Sequence, residues 1–401
     1  MKIAYITAQT PYGKGEQFIL PEIIELINNN NYVVVIPIRP DKELGEGIEP
    51  KKVKPFTINI PLFSLYVVLI SIMVFLKYPI RTCKILGSIF LYSGSMIKIL
   101  KNLVVFPKGL VTGYMVMKEN VEHIHAHWAS TPATVAYIAA SLSNIPWSFT
   151  CHRWDITENN MINEKVRSCK FVRTINKRGF NEIINIVGSQ CKSKCHIIHV
   201  GINIKDSSFS KKINNNRDQF IIATPANLIE VKGHKYLIDA VKKLTKEGYD
   251  VICKFYGEGI LKEELEKMIR KAKLQNRIFI EGQICHEDLL KLYEDKKVDC
   301  VVLPSITTDS GEKEGIPVSL MEAMSYKIPV ISTNTGGIPE LLSNSAGIIV
   351  KQKNSEKLKE AVKLLIDNSN IKKKTTEIGF NKVCNEFNSN KVVDQLTNLF
   401  E

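Results

Sequence analysis

Two glutamates, Glu314 and Glu322, stand eight positions apart, the second inside the apolar run Leu320-Met321-Glu322-Ala323-Met324. A carboxylate accepts two strong hydrogen bonds, so each suits a vicinal diol. Lys232 directly precedes Gly233 at the expected start of a helix. A lysine there, with the first-turn amides, can offset negative charge growing on a phosphate, and glycine lets that phosphate approach the backbone. The amides of Ile316 to Ser319 open another helix and offer a second anion site. His152 follows a strand, while His123, His125 and His127 share one, with His125 expected to face away from the other two. No acid or thiolate is spaced to complete a metal site with these three, and no Asp-x-Asp element is present, so no metal is expected. The nine cysteines are odd in number and scattered, which argues for reduced thiols in a cytoplasmic protein.

The elements that must hold these residues read as two αβ repeats. The first runs through strands at about 2–7, 32–38, 123–127, 147–151, 171–174 and 196–200. The second has strands at about 219–223, 251–256, 277–280, 300–303, 329–332 and 347–350, with helices between them. Such alternation predicts an α/β fold of two Rossmann-like, doubly wound parallel-sheet domains facing a cleft. The expected boundaries are 1–202, a polar linker at 203–218, 219–385, and a C-terminal helix at 386–401 that packs back on the first domain. At 401 residues the chain is too long for one core of usual size. Met1-Lys2 runs straight into a buried strand, so no signal peptide is expected.

The net charge of +13 is unevenly placed. From Lys51 to Lys118 there are ten Lys or Arg, nine aromatics and no Asp or Glu. The apolar stretch 62–76 has 15 residues, short of the ~20 that a spanning helix needs. Beyond Pro79 the spacing predicts an amphipathic helix with Lys77, Arg81, Lys84, Ser88, Ser95, Lys98 and Asn102 along one face. A basic helix beside an aromatic, apolar stretch predicts contact with an anionic membrane surface through Lys77, Arg81, Lys84 and Lys98. No nucleic-acid module accompanies it, so nucleic acid is not an expected partner.

Six ordered blocks carry a resemblance. Ala226-Asn227-Leu228-Ile229-Glu230-Val231-Lys232-Gly233-His234, Tyr256-Gly257-Glu258-Gly259, Leu303-Pro304-Ser305, Glu314-Gly315-Ile316-Pro317 with Leu320 to Met324, Pro329 to Thr333 and Gly336-Gly337-Ile338-Pro339-Glu340 follow one another over residues 219–350. Together they resemble the donor site of glycosyltransferase family 4, a retaining family of GT-B fold. In the first domain, Gly15-Glu16-Gln17-Phe18-Ile19, His125-Ala126-His127-Trp128 and Phe149 to Ile156 resemble its exopolysaccharide and colanic acid subgroup.

The resemblance implies a metal-independent transfer of sugar from a UDP- or GDP-sugar to a glycan acceptor, lipid- or polyprenyl-linked, with no cofactor. Glu314, Lys232 and His152 would be catalytic, Glu314 on the donor's sugar hydroxyls and His152 facing that sugar. Glu322 would take the ribose, and Asn227, Gly13, Gly15, Gly257, Ile284, Ile316, Pro317 and Val318 would complete the donor site. Asp155 and His127 would lie on the acceptor side. Asn227 stands where the family usually has an arginine, which removes a bidentate phosphate ligand. That departure keeps a catalytically silent, partner-binding subunit open as an alternative, beside a nucleotide-sugar epimerase of similar shape. A nicotinamide dehydrogenase is disfavoured, because the first strand is not followed by Gly-x-Gly-x-x-Gly. The expected location is the cytoplasmic face of the cell membrane.

Overall fold

Strands buried on both faces and joined by helices form two separate six-stranded parallel sheets. The computed structural model describes residues 1–11, 16–40, 48–204 and 219–401. Gly13, Gly15 and most of the expected linker lie outside the described residues. The chain divides into unit 1, Met1–Gly201 with Ser389–Glu401, and unit 2, Ile202–Asn388. Each has the doubly wound sheet of the GT-B fold.

Unit 1 comprises β1 (Lys2–Gln9), β2 (Tyr32–Arg39), β3 (His123–His127), β4 (Trp147–Cys151), β5 (Phe171–Thr174) and β6 (Cys195–Ile197), in the order β2-β1-β3-β4-β5-β6. The strand order reverses between the parallel neighbours β1 and β3, so their carboxyl ends flank the switch point where ligands bind in such sheets. One core layer, with Ile6, Ile124, Phe149 and Ile138, lies on one face of the sheet. The other, with Ile3, Tyr5, Ile23 and Val35, is closed by the helix Ser389–Phe400, whose Val392, Val393, Leu396 and Phe400 are buried in it.

Residues 65–118 form three helices where the sequence suggested one amphipathic face. Leu65–Lys77 and Pro79–Tyr92 meet at a 111° bend, and Met96–Lys118 starts after Gly94, which adopts a positive φ. These breaks end the expected charged stripe. Asn102 is buried, donating to Ser93 Oγ and Asn160 Oδ1, and the Arg81 guanidinium donates to the Leu142 carbonyl at 2.9 Å. Lys77 and Lys84 remain exposed, and Lys98 is half-buried. The Met96–Lys118 helix is long and apolar enough to cross a membrane, but half of its apolar window is buried inside unit 1. There Gly109 and Gly113 let it press on Ile138 and Ala139.

Unit 2 comprises β7 (Phe220–Pro225), β8 (Val251–Tyr256), β9 (Ile278–Gly282), β10 (Cys300–Leu303), β11 (Val330–Thr333) and β12 (Ile348–Val350), in the order β12-β11-β10-β7-β8-β9. This is the 3-2-1-4-5-6 arrangement of a dinucleotide-binding sheet, with its switch point between β7 and β10.

Candidate functional site

The loops that leave β7 and β10 carry the charged residues singled out above. Chain leaving β7 passes Asn227, turns through Glu230–Lys232 and enters the helix His234–Lys246. Gly233 makes that entry at φ +66, and a side chain on it would collide with the Pro304 carbonyl just after β10. The two loops are therefore in contact, and their charges pair. Lys232 Nζ donates to Glu314 Oε2 at 2.6 Å, and Ser305 Oγ donates to the same oxygen at 3.2 Å. The other Glu314 oxygen accepts from the Gly315 amide at 3.2 Å. Gly336, at φ +58, packs against the Glu314 backbone where no side chain fits, so the turn after β11 braces this glutamate from behind.

Glu322 lies in the middle of the Val318–Ser325 helix, which starts at buried Pro317 without a side-chain cap. Its Oε1 meets His286 Nε2 at 2.6 Å. Ile284, Ile316 and Val318 are half-buried beside it. Tyr293, which sequence reasoning did not single out, is buried with a hydroxyl that has no partner among the described residues. Burial, and then the Glu322 charge, holds that phenol protonated far above the usual range. Asn227 is exposed, and Gly257 packs on the neighbouring Ala226 carbonyl. His234 is buried against Phe255, with neither ring nitrogen bonded among the described residues. Burial, aided by Lys232, pushes its pKa down to about 4.

In unit 1 the histidines of β3 all point to one face, because side chains two apart on a strand share a side. His123 Nε2 and His125 Nδ1 both contact Ser148 Oγ at 2.8 Å, which corrects the expectation that His125 faces away. His125 Nε2 meets Thr150 Oγ1 at 2.9 Å, and His127 meets Tyr5 and His152. An acid does join the group. Glu22, from the helix Leu20–Asn28, brings an oxygen within 4.8 Å of ligand atoms of His125 and His127. Both of its oxygens are bonded already, to Tyr5 and Arg173, and so are both nitrogens of each histidine, so a cation would have to displace protein partners.

Asp155 is fully buried and accepts from the amides of Ala129 at 2.7 Å and His152 at 2.8 Å. Burial pushes its pKa up to about 7. Lys165 Nζ donates to the carbonyls of Ala129 and Ser130. Between these clamps Trp128 is held at φ +99, a region that favours glycine, and its indole donates to Glu16 Oε1 at 2.5 Å. Trp128 thus carries backbone strain at the carboxyl end of β3, beside the switch point of the sheet.

Comparison with known proteins bears on the family and the fold. Residues 205–382 match the family model described as glycosyl transferases group 1. The putative colanic acid biosynthesis glycosyltransferase WcaL of Salmonella typhimurium is 33% identical over 181 residues, 44% of this chain and 43% of that protein. The amylovoran biosynthesis glycosyltransferase AmsK of Erwinia amylovora is 33% identical over 153 residues, 38% of this chain and 37% of that protein. The matching stretch thus spans less than half the length of these curated relatives. A crystal structure of HepE from Anabaena in complex with UDP has the same fold, with a TM-score of 0.72 at 16% identity over 99% of both chains. Residues 205–382 thus carry the match to glycosyl transferases group 1, in a chain with the GT-B fold.

Proposed function

We propose that the protein is a retaining, metal-independent glycosyltransferase of exopolysaccharide, capsule or lipopolysaccharide synthesis. It moves a sugar from a UDP- or GDP-sugar to a lipid-linked glycan acceptor at the cytoplasmic face of the cell membrane. The observation that carries this reading is the Lys232–Glu314 pair, 2.6 Å apart at the switch point of a group 1 domain. In the reaction the diphosphate of the donor replaces Glu314 as the partner of Lys232. The lysine and the first amides of the helices His234–Lys246 and Val318–Ser325 then stabilise the charge that builds on the leaving group. Glu314, released, accepts from the hydroxyls of the departing sugar, and Glu322 exchanges His286 for the ribose. The kinship with WcaL and AmsK supports the polysaccharide setting, and the UDP complex of HepE supports the donor class. Unit 1 takes the acceptor, and its acid-free basic segment with an exposed apolar surface supports work at an anionic membrane.

Purified protein incubated with UDP- and GDP-sugars and a polyprenyl-linked acceptor tests the reading. Transfer is expected, with turnover unchanged in excess EDTA. Loss of turnover that Mg2+ restores would refute the metal-free mechanism, and conversion of the donor without acceptor would make the protein an epimerase. A bond to a charged group contributes about 1.5–3 kcal/mol, so Glu322→Ala should weaken donor binding roughly 10- to 100-fold in calorimetry. Lys232→Met should instead lower kcat by about two to three orders of magnitude, because its charge acts on the leaving group.

A further inference from the structure

Five side chains of unit 1, contributed by five different segments, form one continuous buried hydrogen-bonded chain. Arg173 of β5 donates to Glu22 Oε2, and Tyr5 of β1 donates to Glu22 Oε1. Tyr5 Oη lies 2.8 Å from His127 Nδ1 at the end of β3, and His127 Nε2 lies 2.7 Å from His152 Nε2 just after β4. Their order fixes every proton. Arginine can only donate, so Glu22 is an acceptor at that end. The single proton of Tyr5 goes to the second Glu22 oxygen, which leaves the phenol oxygen to accept from His127. His127 therefore carries its proton on Nδ1. Burial keeps this ring neutral, so its Nε2 is a lone pair and His152 must be the donor there. His152 then has its proton on Nε2 and a lone pair on Nδ1. The helix start at Arg153 agrees, for the His152 ring accepts from the Asp155 amide while the Asp155 carboxylate accepts from the His152 amide.

We propose that Tyr5, anchored by Glu22 and Arg173, sets the tautomer of His152 through His127, so that His152 presents an accepting Nδ1 at the carboxyl edge of the sheet and never a donating one. A ligand group that meets this nitrogen must itself donate, as a sugar hydroxyl does, and must compete with the Asp155 amide. Tyr5 is thus a positioning residue, separated from the edge by two side chains, His127 and His152, and neither its place early in β1 nor any motif hints at the role. The electronic statement stands on unit 1 alone, and only its kinetic consequence rests on the transferase reading.

Imidazole 15N spectra of histidine-labelled protein test it directly. In the wild type, His152 should show an unprotonated Nδ1 and His127 an unprotonated Nε2. The reverse pattern at either residue overturns the proposal without any variant being made. Tyr5→Phe keeps the ring and removes the anchor, so His127 and His152 should become tautomer mixtures. An unchanged spectrum of the folded variant also overturns the proposal. For turnover, Tyr5→Phe should lower kcat about tenfold and leave the donor KM unchanged, the mark of a group misoriented for chemistry. A spectral change with unchanged kcat would sink the positioning role and leave the transferase reading intact. A wild type that transfers no sugar while giving the expected spectrum would sink that reading and leave the tautomer assignment standing.

Discussion

Acidification to between pH 5 and 4 is expected to unfold unit 1 while unit 2 stays folded. Four imidazoles are buried neutral in unit 1. Burial pushes His123 and His152 down to about 3, and His125 and His127 well below the ordinary value. In the unfolded chain each titrates near 6.5, so below that pH the unfolded state takes up protons that the native state refuses. The contribution of these imidazoles is therefore complete above about pH 6.5 and falls as pH descends toward 3. Asp155, pushed up to about 7, and Glu16, also raised by burial, oppose this by holding protons in the folded state. The balance is two to three protons, or roughly 3–4 kcal/mol per pH unit, against a domain stability of about 5–15 kcal/mol. Unit 2 has one such histidine, His234, so its loss is about a third as steep. All three tryptophans, Trp128, Trp147 and Trp154, belong to unit 1, so their fluorescence follows that unit alone. Fluorescence should report unfolding at a pH where circular dichroism still shows much helix. Coincident transitions, or a flat fluorescence signal down to pH 4, would contradict the buried-neutral assignment.

These same histidines show where sequence reasoning stops. The strand His123–His127, with its three histidines, was legible from its place in the αβ alternation, and unit 2 was legible almost strand by strand. Its loops also announced themselves, because Lys232-Gly233 and the spaced glutamates depend on local backbone geometry written in consecutive residues. What a side chain bonds to is written elsewhere. Glu22 lies 105 positions from His127, and Arg173 a further 46 beyond that, so the acid that sequence spacing denied to the histidines arrives by tertiary packing. Tyr293 was passed over for the same reason, since only the fold brings its hydroxyl near the charge of Glu322. In residues 65–118 the chain breaks at Tyr78, where two helices meet at 111°, and again at Gly94, which takes a positive φ. A stripe inferred across such breaks loses its register.

The consequence of those breaks is a second large effect, on membrane attachment. The surface of the Leu65–Lys77 helix is apolar. Leu65 and Leu76 are each 73% exposed, and Tyr66, Val68, Leu69, Ile72 and Phe75 stand out beside them. Past the bend, Ile80, Phe90 and Leu91 continue the surface, and Met96, Ile97 and Leu100 extend it onto the next helix. Monomeric soluble proteins rarely expose so many adjacent apolar side chains, and lysines at 77, 84 and 98 border them with no acid in the segment. That pairing of an apolar face with a cationic rim matches a bilayer carrying anionic headgroups. Apolar insertion should then dominate. Each fully buried Leu or Ile contributes about 1.5–3 kcal/mol, against roughly 1 kcal/mol for a lysine near the surface. Arg81 and Lys98 are already bonded to the carbonyls of Leu142 and Asn159, so they have less to gain from lipid. Leu69→Ser, Ile72→Ser, Leu76→Ser and Ile80→Ser together should therefore release the protein from phosphatidylglycerol vesicles, weakening partition by about a thousandfold or more. The combined Lys77→Gln, Arg81→Gln, Lys84→Gln and Lys98→Gln variant should lose far less. Salt should affect binding only modestly, because screening acts on the rim and leaves the inserted face untouched. Full release by the lysine variant would return the charges to the leading role. Vesicle binding unaffected by the serine variant, with wild-type protein pairing with itself in the absence of lipid, would assign the apolar face to a second copy of the chain.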